Sequence, residues 1–254
     1  MIYFDEKPII KSIFPNKEKQ YYDFSEVLRN RQRNIITVIF ENNEDLFDLA
    51  MIKYWFDDHA INGATVELIM SFCPYGQSDR QMGDAMFSFK YFAKFINSLK
   101  FEQVTIYDPH SLVMEAALNK CLVLYPDIDF NQYDLLFFPD NGAAKKYSEV
   151  YNYPYRFGNK KRNLDTGEII CYEVIADKKD IEGKKILILD DICMGGRTFK
   201  EAAKALLDMG ASQVDLWITH LMPQAEDFYK NHQDFGITNF YSCNTLKTPW
   251  YKQE

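Results

Sequence analysis

One run of residues restricts the fold of this chain more than any other. Residues 185–198 read KILILDDICMGGRT. The KILIL portion is short, apolar and rich in branched side chains, which fits a strand covered on both faces. Asp190 and Asp191 follow at its carboxyl end. Gly195, Gly196 and Thr198 come next and lead into an amphipathic segment over residues 199–209. Gly210 stands where such a helix is expected to stop. A glycine pair lets backbone N–H groups close around phosphate oxygens, and a helix start adds a dipole that favours an anion. Two carboxylates beside that cradle suit the vicinal hydroxyls of a ribose, directly or through Mg²⁺. The run is not a Walker A loop, because the Lys of that motif is absent from its place. A solvated acidic turn before a capped helix is the plainer reading, but capping alone does not account for two adjacent acids followed by Gly-Gly-x-Thr.

The remaining chain repeats a strand–helix rhythm. Residues 35–40 (IITVIF), 65–72 (TVELIMSF) and 103–107 (QVTIY) read as strands, separated by helical spacings over 43–60 and 87–99. The pattern returns with strands over 133–138, 185–189 and 213–219. Strands alternating with helices imply parallel βαβ units and an α/β fold. Two passes through the rhythm imply two α/β halves joined near residues 125–134. The stretch 147–177 has weak periodicity and many Tyr, Lys and Arg residues. It is expected to be a mobile loop or a β-flap, and long segments of this kind are often functional.

Composition narrows the function. Apolar residues form 47% of the 254, enough for a sizeable core, and the formal charge of −8 with a pI near 5.1 argues against nucleic acid or an anionic membrane as the main partner. A local basic loop still allows an anionic substrate. The five cysteines are scattered with no C-x-x-C pair, which implies reduced thiols rather than a disulfide framework. The N-terminus lacks the order of a signal peptide, and no apolar run approaches the roughly 18 residues a spanning helix needs. A soluble, cytoplasmic protein is expected.

The 185–198 run resembles the phosphoribosyl-diphosphate-binding loop of type I phosphoribosyltransferases and ribose-phosphate diphosphokinases. Further segments resemble the diphosphokinases in particular, in the family's order and over nearly the whole chain. Residues 14–18 (FPNKE) resemble Phe-Pro-Asp-Gly-Glu, and residues 75–80 (YGQSDR) resemble Tyr-Ala-Arg-Gln-Asp-Arg. Residues 108–111 (DPHS) resemble Asp-x-His, residues 138–142 (FPDNG) resemble Pro-Asp-x-Gly, and residues 159–162 (NKKR) resemble the Asp-Lys-Arg-Arg flap. Thr219-His220 and Asn244-Thr245 resemble two late landmarks.

The resemblance implies two tandem type I phosphoribosyltransferase-like α/β domains with mainly parallel sheets, over 1–128 and 129–254. It implies transfer of the β,γ-diphosphate of ATP to the anomeric hydroxyl of a 5-phosphorylated ribose, with release of AMP. Carried over by position, Phe14, Asn16, Glu18, Gln77, Ser78, Asp79, Arg80 and His110 would serve ATP. His110 and Asp140 would hold Mg²⁺. Asp190 and Asp191 would take the acceptor ribose, and Gly195, Gly196, Arg197 and Thr198 its 5-phosphate. Lys160, Lys161 and Arg162 would be catalytic, since a closing cationic loop stabilises charge spread over the bridging oxygens. A homo-oligomer with ATP at a subunit interface is also implied.

The match is imperfect in informative places. Met194 stands for an Asp, Arg197 for a Gly and Gln77 for an Arg, while Asn16 and Lys17 stand for Asp and Gly. An added Arg in the phosphate loop suggests a 5-substituent with more negative charge. ADP-ribose is such an acceptor, giving ADP-ribose 1-diphosphate for rebuilding NAD from nicotinamide, and compact chains of this sort resemble viral NAD-salvage proteins. Two other readings are a transferase that consumes phosphoribosyl diphosphate and a non-catalytic regulatory relative. The ATP-side motifs weigh against the first. The retained acids, His110 and the Lys160–Arg162 run weigh against the second.

Overall fold

A computed structural model describes residues 1–22, 32–162, 169–243 and 245–247, with side chains described outside 160–171. The chain divides into two compact units, one of Met1–Leu124 with Thr245 onwards, the other of Tyr125–Asn244.

The first unit contains β1 (Ile2–Phe4), β2 (Lys7–Pro8), β3 (Ile10–Ile13), β4 (Lys19–Tyr22), β5 (Arg33–Val38), α1 (Glu44–His59), β6 (Thr65–Met70), α2 (Ser88–Ser98), β7 (Val104–Tyr107), α3 (Leu112–Ala117) and β8 (Cys121–Leu124). Its sheet has the order β2-β1-β5-β6-β7-β8. The strands from β5 to β8 are parallel, and β1 joins antiparallel to both β5 and β2. Leu49, Ile52 and Phe56 of α1 and Phe89 and Ile96 of α2 lie buried with Ile36, Leu68 and Ile106 of the sheet. The hairpin β3–β4 stands outside this sheet as its own antiparallel pair.

That hairpin is tied to α1 by one carboxylate. Asp48 accepts hydrogen bonds from Lys11 Nζ (2.9 Å), Lys19 Nζ (2.9 Å) and Tyr21 Oη (2.7 Å), and it is 1% exposed. Burial alone would raise this carboxyl, but the bonds from Lys11, Lys19 and Tyr21 outweigh it and hold Asp48 below the usual carboxylate range.

The second unit contains β9 (Leu135–Phe138), α4 (Asn141–Val150), β10 (Tyr155–Arg162), β11 (Ile169–Ile175), β12 (Lys185–Cys193), α5 (Arg197–Asp208), β13 (Gln213–Leu221), α6 (Glu226–Lys230) and β14 (Phe240–Ser242). The sheet order is β11-β10-β9-β12-β13-β14. All neighbours are parallel except the hairpin β10–β11. Side chains of a strand alternate between faces, and the core records this directly. Leu135, Phe137, Ile186 and Ile188 pack with Phe199, Ala202 and Leu206 of α5. Leu136, Phe138, Leu187 and Leu189 pack with Ala143 and Tyr147 of α4. The sheet is covered on both faces, as its continuous apolar strands require.

The structure refines several expectations. The strand expected to end at Leu189 runs on to Cys193, because β13 extends in step and pairs Ile192 with His220 and Cys193 with Leu221. Asp190 and Asp191 therefore lie within a strand. Helix α5 starts two residues before the expected Phe199 and ends in a Schellman motif, with Gly210 N bonded to Leu207 O and Ala211 N to Leu206 O. The stretch 147–177 is a helix end followed by an antiparallel hairpin. β10 pairs with β9 only through Tyr155, Arg156 and Phe157, and from Gly158 onward it pairs with β11 alone. No helix among the described residues is long and apolar enough to cross a membrane.

Replacing Asp48 by Ala should destabilise the protein by about 3 kcal/mol, because three donors lose their shared buried acceptor. Urea unfolding measures this. The depressed pKa makes the wild-type contribution full above the unfolded value near 4 and loses it as pH falls through the lower folded value. The gap between wild type and variant should therefore narrow in acid.

Candidate functional site

In the first unit, the residues expected to serve ATP fall on three loops. Phe14 sits at the tip of β3–β4 and is 48% exposed. The tip is closed by Phe14 N on Glu18 O (2.8 Å), by Lys17 N on Phe14 O (2.8 Å), and by the side chain of Asn16, which accepts from Glu18 N (3.2 Å). Lys17 has φ +68°, a backbone state that favours glycine. That fits the Gly found there in the resembled segment. Gln77 and Ser78 lie in a single 3₁₀ turn over Gly76–Ser78, followed by Asp79 and by Arg80, whose side chain is 79% exposed. A Cβ on Gly76 would meet Met114 Sδ at 2.8 Å and His110 Cβ at 3.1 Å. The fold thus brings the 75–80 turn against His110, which is exposed just past the end of β7.

In the second unit, the carboxyl ends of β9 and β12 carry the acids, where open α/β sheets usually bind ligands. Asp140 caps α4, its Oδ1 accepting from Ala143 N (3.0 Å). Tyr172 of β11 reaches across β10 to the end of β9 and donates to Pro139 O (3.1 Å). Burial first, and then the negative charges of Asp140 and Asp190, push this phenol well above its ordinary range. A Cβ on Gly158 would lie 2.2 Å from the Tyr172 hydroxyl, so this glycine leaves the space the tyrosine occupies.

Asp190 and Asp191 are adjacent in a strand, so their side chains take opposite faces. Asp190 is half-buried, and its Oδ1 accepts from Asp191 N (3.0 Å). Asp191 is 3% exposed and its Oδ1 accepts from Lys146 Nζ at 3.2 Å. Past Cys193 the chain turns through Met194, Gly195 and Gly196 into α5. Gly196 is the N-cap at φ +78°, and a Cβ there would strike the Phe228 ring at 2.2 Å. Gly195 is exposed with open space around its Cα, as are Met194 and Arg197, while Thr198 is half-buried. Burial pushes the Cys193 thiol up to about 12, countered in part by hydrogen bonds from the Gly196 and Gly195 backbone, and the Asp190 charge adds to the rise. Lys200, one turn into the helix, stands over the Phe235 ring at 3.8 Å and the Phe228 ring at 5.5 Å.

Lys160, Lys161 and Arg162 lie in β10, with Cα partners Tyr172, Cys171 and Ile169 in β11. Their side chains lie outside the described ones, as does the late landmark Asn244. Among the described residues, no group of three or more His, Cys, Asp or Glu side chains gathers as a metal cluster. Mg²⁺ commonly takes only one or two carboxylates and completes its shell with water and substrate phosphate, so a single acid such as Asp140 could serve it. Sequence reasoning missed Lys146, Tyr172 and Gly158. Lys146 gave no sequence signal, because the helix whose buried face it shares with Ala143 and Tyr147 is itself not marked by the sequence.

The phosphoribosyl transferase domain model matches residues 152–247. The ribose-phosphate pyrophosphokinase of Saccharolobus solfataricus is 25% identical over 94% of this chain and 86% of its own. That of Pyrococcus abyssi is 24% identical over 80% of this chain and 74% of its own. A crystal structure of phosphoribosylpyrophosphate synthetase from Mycobacterium smegmatis superposes with a TM-score of 0.73 at 18% identity, covering 97% of this chain and 83% of that one. That likeness shows the shared fold.

Gly196→Ala should cost about 2–4 kcal/mol, from left-handed backbone strain together with overpacking against Phe228. Adding Phe228→Ala removes the collision but not the strain, so the second change should cost less in the Gly196→Ala background than in wild type. A urea-unfolding double-mutant cycle reads the difference.

Proposed function

Because the chain belongs to the ribose-phosphate pyrophosphokinase family and is a diphosphotransferase, we propose that it transfers the β,γ-diphosphate of ATP to the anomeric hydroxyl of a 5-phosphorylated ribose. The observation that carries this reading is the carboxyl end of β12. There two acids and a glycine-led helix start are consecutive in the chain, as a ribose phosphate needs. The anomeric oxygen attacks the β-phosphorus, the bond from that phosphorus to the α-phosphate oxygen breaks, and AMP leaves. The anomeric proton passes to solvent or to a nearby base.

Each group has a role that its chemistry supports. The backbone at Gly195 and Gly196 and the first turn of α5 receive the 5-phosphate, with Arg197 and Thr198 beside it. Asp190 and Asp191 accept from the ribose hydroxyls. In the first unit the Phe14–Glu18 tip offers an exposed aromatic face for adenine, and Asp79, Arg80 and His110 face the ATP phosphates. Asp140 would hold Mg²⁺, which when bound would neutralise charge on the polyphosphate. Lys160, Lys161 and Arg162 bring positive charge on a hairpin and exclude water as it closes.

A second acceptor is favoured by a specific observation. The first turn of α5 carries two cations, Arg197 and Lys200, and Lys200 is held in place over two aromatic rings. A 5-monophosphate is already served by the loop amides and one cation. A 5-diphosphate, as in ADP-ribose, would use both, and its product would be ADP-ribose 1-diphosphate.

Incubation with ATP, Mg²⁺ and either ribose 5-phosphate or ADP-ribose, followed by mass analysis, tests the proposal. AMP together with a diphosphorylated acceptor is the expected result, and the acceptor consumed decides between the two. No AMP with either acceptor would sink the catalytic reading in favour of a regulatory relative. In the active protein, Lys160→Ala should lower kcat by roughly 10²–10³-fold while acceptor binding persists, as for loss of one donor to transition-state charge.

A further inference from the structure

Lys146 lies on α4, the helix capped by Asp140, and its side chain is 3% exposed. Its Nζ is 3.2 Å from Asp191 Oδ1 and 4.1 Å above the ring of Tyr147, itself fully buried. Asp191 points to this face because Leu187 and Leu189, two and four residues earlier in β12, pack there as well. The ion pair is buried on the face of the sheet where Leu136, Phe138, Leu187, Leu189, Ala143 and Tyr147 pack.

Stability does not explain such a pair. Taking two charges out of water costs as much as their attraction returns, and a well-packed apolar pair of similar volume commonly does as well or better. Position 146 shares the helix face of Ala143 and Tyr147, so an apolar side chain would complete the layer. The pair also couples two parts of the site. One helix carries Asp140 at its start and Lys146 less than two turns later, and Lys146 grips the second acid of the ribose cradle.

We propose that Lys146 is a positioning residue for acceptor recognition: by holding the buried carboxylate of Asp191 it fixes the last part of β12, and with it the aim of Asp190 and of the Gly195-Gly196 turn at the acceptor. The proposal rests on the assignment of Asp190 and Asp191 to the acceptor. Lys146 acts through Asp191 and touches no reacting atom. Its loss therefore affects the acceptor far more than ATP.

Lys146→Met and Lys146→Arg test this by the KM for each substrate, by calorimetric binding of ribose 5-phosphate and ADP-ribose without ATP, and by urea unfolding. Lys146→Met should weaken the acceptor by roughly tenfold or more and leave the ATP KM within about twofold, with Lys146→Arg restoring most of the loss. An unchanged acceptor affinity in folded Lys146→Met overturns the proposal, as does an equal loss for both substrates. If Lys146→Met does not fold, Lys146→Gln, which stays polar but is shorter and uncharged and so cannot hold Asp191 in the same way, carries the test. A folded Lys146→Gln with wild-type acceptor affinity overturns the proposal, and weakened acceptor with intact ATP KM supports it. Wild-type protein that binds an acceptor but forms no AMP would sink the catalytic reading alone, since the binding comparison still decides the role of Lys146. Wild-type protein that binds neither acceptor overturns both.

Discussion

The pairing of β12 between β9 and β13 is the constraint from which the second unit follows. Ile186 and Ile188 face α5, while Leu187 and Leu189 face α4. A strand buried on both faces cannot slip by one residue without exchanging these two sets. The same alternation continues into the acids and sends Asp190 and Asp191 to opposite sides. The core register and the aim of the carboxylates are thus one property of one strand. Asp215 in β13 reinforces it from the other side. Its carboxylate accepts from Tyr133 Oη at 2.8 Å, Gln213 Nε2 at 3.0 Å and Asn239 Nδ2 at 3.1 Å, pinning the approaches to β9 and β14.

Charge is handled differently in the two units. In the first, Asp48 gathers donors from a hairpin that lies outside the sheet, so an ion cluster substitutes for a core beneath β3–β4. In the second, the acids lie among groups that restrain them: Asp140 by the helix start it caps and Asp191 by Lys146. The acids stand just past β9 and on β12, and the cations on α5 and β10. The proposed polyanionic substrate would use the first for its metal and hydroxyls and the second for its phosphates.

Much of the α/β architecture was legible because its signals are local. KILIL, IITVIF and QVTIY are apolar over consecutive positions, and Gly210 ends α5 through a motif only a left-handed residue completes with ease. What was not legible depends on distant partners. The extension of β12 through Cys193 is set by His220 and Leu221 of β13, so residues 190–193 gave no local sign of strand. Helix α4 was hidden because its sequence NGAAKKYSEV has too few apolar residues to mark a face, and its stability comes from Ala143 and Tyr147 against the sheet. The short strands before residue 22 carry no periodicity. The candidate site divides likewise: the glycines and acids of 190–198 carry the local pattern from which a phosphate loop is expected, whereas Tyr172 and Gly158 are related only through the space one leaves for the other.

The hairpin β10–β11 has a mechanical consequence. Through Phe157 it is an integral part of the sheet, with β9 on one side and β11 on the other. From Gly158 to Arg162 it is a ribbon of two strands, and a ribbon of that width has little stability of its own. At about 3.3 Å per residue, those five residues form an arm roughly 16 Å long. It begins where the Tyr172 hydroxyl fits over Gly158 and holds the Pro139 carbonyl. Up to Phe157 the ribbon has β9 beside it and beyond Phe157 it does not, so the support of the sheet stops at one glycine.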